Sequence, residues 1–210
     1  MIKKIIKENL VYIIIIISLI VFFSIVMRSS LHDKIIIFDT KVIDFVNSNL
    51  HKSIINIFKI LTNFGDFYIP FIILILILII IKNKWVFYLQ TMSYSLAGII
   101  TYLAKISAGR PRPQVALIDI PKSFSFPSGH TLTSIVFYTM LCFLLSYNMK
   151  PSKRKIVFTI ALILTILIAT SRIYLGVHYF SDVVGGIIIA IPCTLMCQNI
   201  INKNFKQKLK

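Results

Sequence analysis

A chain of 210 residues that is 57% hydrophobic, with a mean hydropathy of +0.86 and a formal charge of +16, is too apolar for a water-soluble domain, whose surface must be largely polar. The charge does not make it a nucleic-acid binder, because that footprint needs Lys and Arg gathered on one soluble face, whereas here they stand mostly at the ends of apolar runs. Cys142, Cys193 and Cys197 all lie inside apolar runs, an odd set that argues against a disulfide framework and for packing.

In chain order, the lysine-bearing start and the long apolar run behind it, with no small-residue cleavage site after Met27, predict an uncleaved anchor. A spanning helix needs about 20 mainly apolar residues. Six runs qualify or come close: about 10–27, 67–81, 85–104, 128–147, 156–172 and 179–201. The second is short, and Lys82-Asn83-Lys84 turns it into a hairpin with the third. Between the first two runs, Phe38, Val42, Phe45, Val46, Leu50, Ile54, Phe58 and Leu61 recur at helical spacing among Asp44, Asn47, Asn49 and Lys52. That pattern predicts an amphipathic helix lying in the membrane interface. The expected fold is all-α, a polytopic membrane protein of six transmembrane helices plus this amphipathic segment, in a single domain over 1–210. No linker or internal repeat interrupts it.

Loops rich in Lys and Arg stay cytoplasmic. With the N-terminus inside, 13 of the 23 basic residues fall on the inner side, and four of the rest, Lys105, Arg110, Arg112 and Arg172, gather around the stretch Phe126-Pro-Ser-Gly-His130. Both termini are therefore expected in the cytoplasm and the unusual polar residues on the outer face.

Three clusters carry chemistry. In the first, Ser128 is a good N-cap residue and Gly129 lets backbone approach a ligand, so the helix start that follows suits an anion, with His130 beside it. Taken alone, this is equally an ordinary helix cap. In the second, Lys105 could simply snorkel at a helix end, but Arg110-Pro111 and Arg112-Pro113 put guanidinium forks in a stiffened loop, a fit for tetrahedral oxyanions. Arg110 reads first as a lipid-headgroup contact, with a second phosphate contact as the alternative. In the third, His178 and Asp182 stand four apart on one helical face, where the carboxylate fixes the imidazole tautomer and sharpens its other nitrogen as a nucleophile. A structural His–Asp pair is the bland alternative. Together the three clusters point to phosphoryl transfer. The acidic residues Glu8, Asp33, Asp39, Asp44, Asp66, Asp119 and Asp182 are never closer than five positions, so no metal ligand set and no cofactor is expected, and the basic side chains must neutralise the phosphate.

Lys105-x6-Arg112-Pro113, Pro127-Ser128-Gly129-His130 and Ser171-Arg172-x5-His178-x3-Asp182 resemble the three signature motifs of the type 2 phosphatidic acid phosphatase (PAP2) superfamily, complete and in order. The first 100 residues carry no such motif, although a leading helix, an outer amphipathic segment and a six-helix count are similar to the bacterial phosphatidylglycerophosphate phosphatase B type. The resemblance implies that His178 attacks phosphorus to form a phosphohistidine and that Asp182 orients it. His130 protonates the leaving oxygen and then activates water, while Lys105, Arg112, Arg172, Ser128 and the Gly129 N–H hold the phosphate oxygens. The implied activity is hydrolysis of a lipid phosphate (phosphatidylglycerophosphate, phosphatidic acid or undecaprenyl diphosphate) at the outer face of a bacterial plasma membrane. A lipid phosphotransferase with the same site is the alternative. A non-enzymatic carrier or scaffold fits poorly, since no motif residue is lost.

Overall fold

The computed structural model describes residues 2–49 and 51–209, with only the backbone of Lys52; the expected interfacial position Leu50 lies outside the described residues. Among the described residues eight α-helices form: α1 (Ile2–Val26), α2 (Leu31–Ser48), α3 (Lys52–Asn63), α4 (Tyr68–Ile80), α5 (Lys84–Ala108), α6 (Gly129–Leu145), α7 (Pro151–Tyr174) and α8 (Phe180–Asn204). A short 3₁₀ turn (Lys206–Lys208) follows. The architecture is all-helical, as the apolar runs predict. The amphipathic stretch is not one helix but two, α2 and α3. The second of these continues across a 45° bend into α4.

Three helices, α1, α7 and α8, are each long and apolar enough to cross a membrane, or four crossings form if the bent pair α3–α4 counts as one. The other apolar runs depart from the simple pattern for visible reasons. Helix α4 has only 13 residues, about 20 Å of rise against about 30 Å of hydrocarbon. Helix α6 has 17. Helix α5 is long but carries polar residues, three of which are buried: Gln90 Nε2 donates to Phe137 O of α6 at 2.9 Å, and Ser93 and Thr101 bond back to Leu89 O and Ala97 O. A polar group at membrane depth needs such an internal partner.

Helix α6 is the axis of the molecule, packed against α5, α7 and α8. Leu132, Val136, Phe137 and Met140 on one side and Thr131, Ser134, Tyr138 and Cys142 on the other are all buried, so α6 is enclosed around its circumference. The lipid-side surface is apolar too, with Ile17, Phe22, Ile79, Ile99, Ile163 and Ile191 exposed. Because lipid is as apolar as leucine, close van der Waals fit holds such helices together, and small residues allow it. A Cβ on Gly185 would come within 2.3 Å of the Phe126 ring, and one on Gly186 within 3.0 Å of Ser128 O. The Gly185-Gly186 pair thus lets the start of α6 settle directly on α8. Cys142, Cys193 and Cys197 are buried free thiols.

The two ends of the bundle differ. At one end Asn199 Nδ2 donates to Asn9 Oδ1 at 2.9 Å, Asn83 Nδ2 to Lys208 O at 2.6 Å and Asn148 Nδ2 to Leu209 O at 3.2 Å. These bonds gather α1's start, the α4–α5 turn, the α6–α7 turn and the C-terminal turn. The three motif clusters meet at the opposite end.

Candidate active site

The last turn of α5 carries Lys105, the last turn of α7 carries Arg172, and the first turns of α6 and α8 carry His130 and Asp182. The loop from α5 to α6 is pinned over them by Ser125 N to Arg110 O (2.8 Å), Leu117 N to Leu175 O (2.9 Å) and Ser128 N to Asp182 O (3.0 Å). Between α7 and α8, Gly176 has φ +67°, and a Cβ there would meet Val115 O at 2.5 Å. Only glycine makes this turn under the loop without strain, and the turn delivers His178 to the floor of the site.

Asp182 is fully buried and fully used. Its Oδ1 accepts from Arg110 Nη1 at 2.6 Å. Its Oδ2 accepts from Ser125 Oγ at 2.5 Å and Tyr179 N at 2.9 Å, and faces His178 Nδ1 at 3.3 Å. On the other side of the ring, Arg112 Nη1 lies 3.1 Å from His178 Nε2. A guanidinium only donates, so the network assigns the proton to Nδ1 and the lone pair to Nε2. Burial pushes the His178 imidazole down to about 3, so the neutral ring persists throughout the ordinary pH range. This is the tautomer a nitrogen nucleophile requires.

Three basic side chains gather at this end, Arg112 in direct contact with that lone pair. Lys105 Nζ donates to the Phe124 carbonyl and to Ser125 O at 3.3 Å. Arg112 also donates to Val177 O at 2.8 Å and Ser123 O at 2.8 Å. Arg172 Nη1 donates to Thr62 Oγ1, while its Nε is buried without a partner. All three side chains are buried, and among the described residues none is in ion-pair contact with a carboxylate. Ser128 occupies the N-cap of α6, but its hydroxyl accepts from Thr131 Oγ1 at 2.9 Å and makes no capping bond to the backbone. The first turn's N–H groups are therefore left without a side-chain cap, facing the cations. A Cβ on Gly129 would stand 3.3 Å from Thr101 Cγ2 and 3.7 Å from Lys105 Cε, so the helix start lies close against the end of α5 and the lysine stem. Buried, partnerless donors under convergent positive charge define a site for a tetrahedral oxyanion.

The expected Lys105, Arg112, Ser128, Gly129, His130, Arg172, His178 and Asp182 all come to this one end. Arg110 corrects the expectation of a headgroup contact: its side chain has no exposure, and its Nη1 and Nη2 are spent on Asp182 (2.6 Å) and on Asp39 of α2 (2.7 Å). It braces the carboxylate that faces His178 Nδ1. Asp39 in turn accepts from Ser181 N at 3.0 Å and Ser181 Oγ at 2.5 Å, capping α8 from outside. His130 Nε2 lies 2.8 Å from Asp66 Oδ1, at ion-pair distance though out of hydrogen-bond alignment. Asp39, Thr62, Asp66 and Ser125 are the site residues that sequence reasoning missed. The only signal for the two aspartates was their scarcity, seven acidic side chains in 210 residues. Among the described residues no group of three or more His, Cys, Asp or Glu gathers as a metal ligand set.

Buried cations around a neutral histidine, on an all-helical membrane bundle, define a class of phosphate-handling membrane protein, and comparison with known proteins agrees. Residues 84–206 match the PAP2 superfamily, and the chain belongs to it. It is 28% identical over 131 residues to phosphatidylglycerophosphatase B of Bacillus subtilis (strain 168), a match covering 61% of this chain and 62% of that protein, less than two thirds of the relative's length. The fold is shared with the crystal structure of a transmembrane PAP2 type phosphatidylglycerolphosphate phosphatase from Bacillus subtilis, with a TM-score of 0.78, 22% identity, and 90% of this chain and 97% of that one covered. LpxE from Aquifex aeolicus is also similar, with a TM-score of 0.56, 26% identity, and 76% and 94% covered.

Proposed function

We propose that this protein is a metal-independent phosphatase acting on a lipid phosphomonoester or diphosphate. The observation that carries the reading is the trio Lys105, Arg112 and Arg172, buried without carboxylate ion pairs among the described residues, at the end of the bundle where Arg112 meets Nε2 of a neutral His178. In the reaction, Arg112 exchanges its contact with Nε2 for a phosphate oxygen. Nε2 then attacks phosphorus, and the bond from phosphorus to the leaving oxygen breaks with its electron pair on that oxygen. His130 supplies the proton. The three cations, Ser128 and the Gly129 N–H spread the charge of the trigonal-bipyramidal transition state, which needs positioning and electrostatics more than covalent help. Water, deprotonated by His130, then attacks the phosphohistidine, which releases inorganic phosphate and restores neutral His178.

The lipid class is supported by the apolar surface that surrounds the site end and by the name of the similar protein, which makes phosphatidylglycerophosphate the first substrate to try. Phosphate release by the full chain in detergent, measured on phosphatidylglycerophosphate, phosphatidic acid and undecaprenyl diphosphate, is expected for at least one of them, with an acid-labile phosphoenzyme on rapid quench. No release from any of the three overturns the reading.

The proposed topology has six crossings, both termini in the cytoplasm and the site outside, supported by the flank charges. Cysteines substituted for Asp119 and, separately, for Ser152, in a background lacking Cys142, Cys193 and Cys197, should differ toward a membrane-impermeant thiol reagent on intact cells. Position 119 should react and position 152 stay silent. The reverse pattern puts the site in the cytoplasm.

A further inference from the structure

The loop where α3 breaks into α4 is fitted against the start of α6 at three successive residues. Phe64 O accepts from Tyr138 Oη of α6 at 2.7 Å. Gly65 lies flat on α6 and α7: a Cβ there would stand 2.8 Å from Ile168 Cγ2, 3.0 Å from His130 Cδ2 and 3.0 Å from Ser134 Oγ. The next residue, Asp66, puts Oδ1 2.8 Å from His130 Nε2. No side chain other than glycine's hydrogen leaves room for this approach, so the break is shaped to bring one carboxylate to one imidazole. Asp66, His130 and Arg172 line the same cavity of about 660 Å³, with Lys59 and Asp119 at its rim.

We infer that Asp66 is the positioning carboxylate of the general acid, a second His–Asp pair that sets the His130 ring and favours its protonated form until the leaving oxygen takes the proton. The charged groups around His130 make the requirement clear. Burial of the ring, Arg172 from α7 and Arg112 from the α5–α6 loop all oppose a positive imidazole; Asp66 is the carboxylate set directly against the ring. Without it, burial and two guanidinium groups would strip the proton that the leaving group needs. The direction is reciprocal: the imidazole holds the Asp66 carboxyl below its ordinary value, so Asp66 stays an anion. Because the contact is out of hydrogen-bond alignment and Asp66 is 42% exposed, the proton is not locked in and can pass to an oxygen arriving in the shared cavity.

This role rests on the phosphatase reading above, and the test separates the two. Full-length Asp66→Asn is compared with wild type on an alkyl phosphate, short-chain phosphatidic acid, and on 4-nitrophenyl phosphate, whose leaving group needs no protonation. The kcat on the alkyl phosphate should fall about tenfold to a hundredfold, the lower range for a damaged general acid, with less than about a threefold change on the aryl phosphate. The basic limb of the alkyl-phosphate profile should move to lower pH by about one unit, as follows from removing an anion beside an imidazolium. Asp66→Glu should restore the limb in part. Asp66→Ser serves if Asp66→Asn does not stay monodisperse in detergent. Equal losses on both substrates, or a basic limb that does not move, overturn the role and leave Asp66 structural. A wild type inactive on both substrates sinks the phosphatase reading and this role with it.

Discussion

The site holds two histidine–carboxylate pairs that face the same cradle and are built in opposite ways. His178–Asp182 is sealed: both side chains are essentially unexposed, and the carboxylate is saturated by Arg110, Ser125, Tyr179 and the ring itself. His130–Asp66 is open, its side chains 18% and 42% exposed and its contact imperfectly aligned. The contrast matches two different demands. A nucleophile must present one fixed tautomer, and rigid second partners secure that. A group that gives a proton in one half-reaction and takes one from water in the next must stay exchangeable, and a saturated pair would hold its proton too firmly.

The largest effect should come from breaking the sealed pair. His178→Ala should lower turnover by at least about 10⁴-fold on every substrate, alkyl and aryl alike, since it removes the proposed attacking atom. Phosphate release near the wild-type rate on either substrate would end the assignment of the nucleophile. Next, Arg110→Met leaves Asp182 buried with one oxygen unpaired. Breaking a buried ion pair costs about 3–5 kcal/mol, so both thermal stability in detergent and activity should fall, the latter equally on alkyl and aryl phosphates. A selective loss on alkyl phosphate would instead place Arg110 in leaving-group chemistry.

A smaller effect is expected with pH. The folded His178 stays neutral down to about 3, below its unfolded value near 6.5. The unfolded chain thus binds the extra proton between these values, and stability is full above about 6.5 and declines as pH falls toward 3. The unfolding temperature of wild type should drop over that window more steeply than that of His178→Asn; parallel slopes would mean that the ring is not buried neutral. The smallest effect is a null one. Turnover should be unchanged in excess EDTA yet blocked by vanadate, which mimics the in-line transition state; loss on chelation restored by magnesium would replace the cationic cradle with a metal.

How much of this the sequence disclosed depends on where each residue's partner sits. Lys105, Arg112, His130, Arg172, His178 and Asp182 lie at the ends of apolar runs, where a polar residue at membrane depth is conspicuous, and their alternation along the chain brings them to one end. Asp39 and Asp66 were hidden because a lone aspartate in or beside an amphipathic segment reads as its solvated side. Nothing local says that Asp39 will meet Arg110 and Ser181, 71 and 142 positions away. Arg110 was misread for the same reason: its two acceptors come from α2 and α8, elements that sequence spacing cannot relate. The polar interior of α5 and the break within the amphipathic segment likewise follow from tertiary enclosure, which periodicity does not report.

Helix α1 rests mainly on α8, and the buried amide of Asn9 bonds to Asn199, 190 positions later. The Asn9 amide also bonds to Ile5 O of its own turn, at 2.8 Å, so the Asn9–Asn199 contact is a polar clasp at the lysine-bearing end of α1, closed by residues from opposite ends of the sequence. Removing α8 would therefore take from α1 both this clasp and the wall on which it mainly rests.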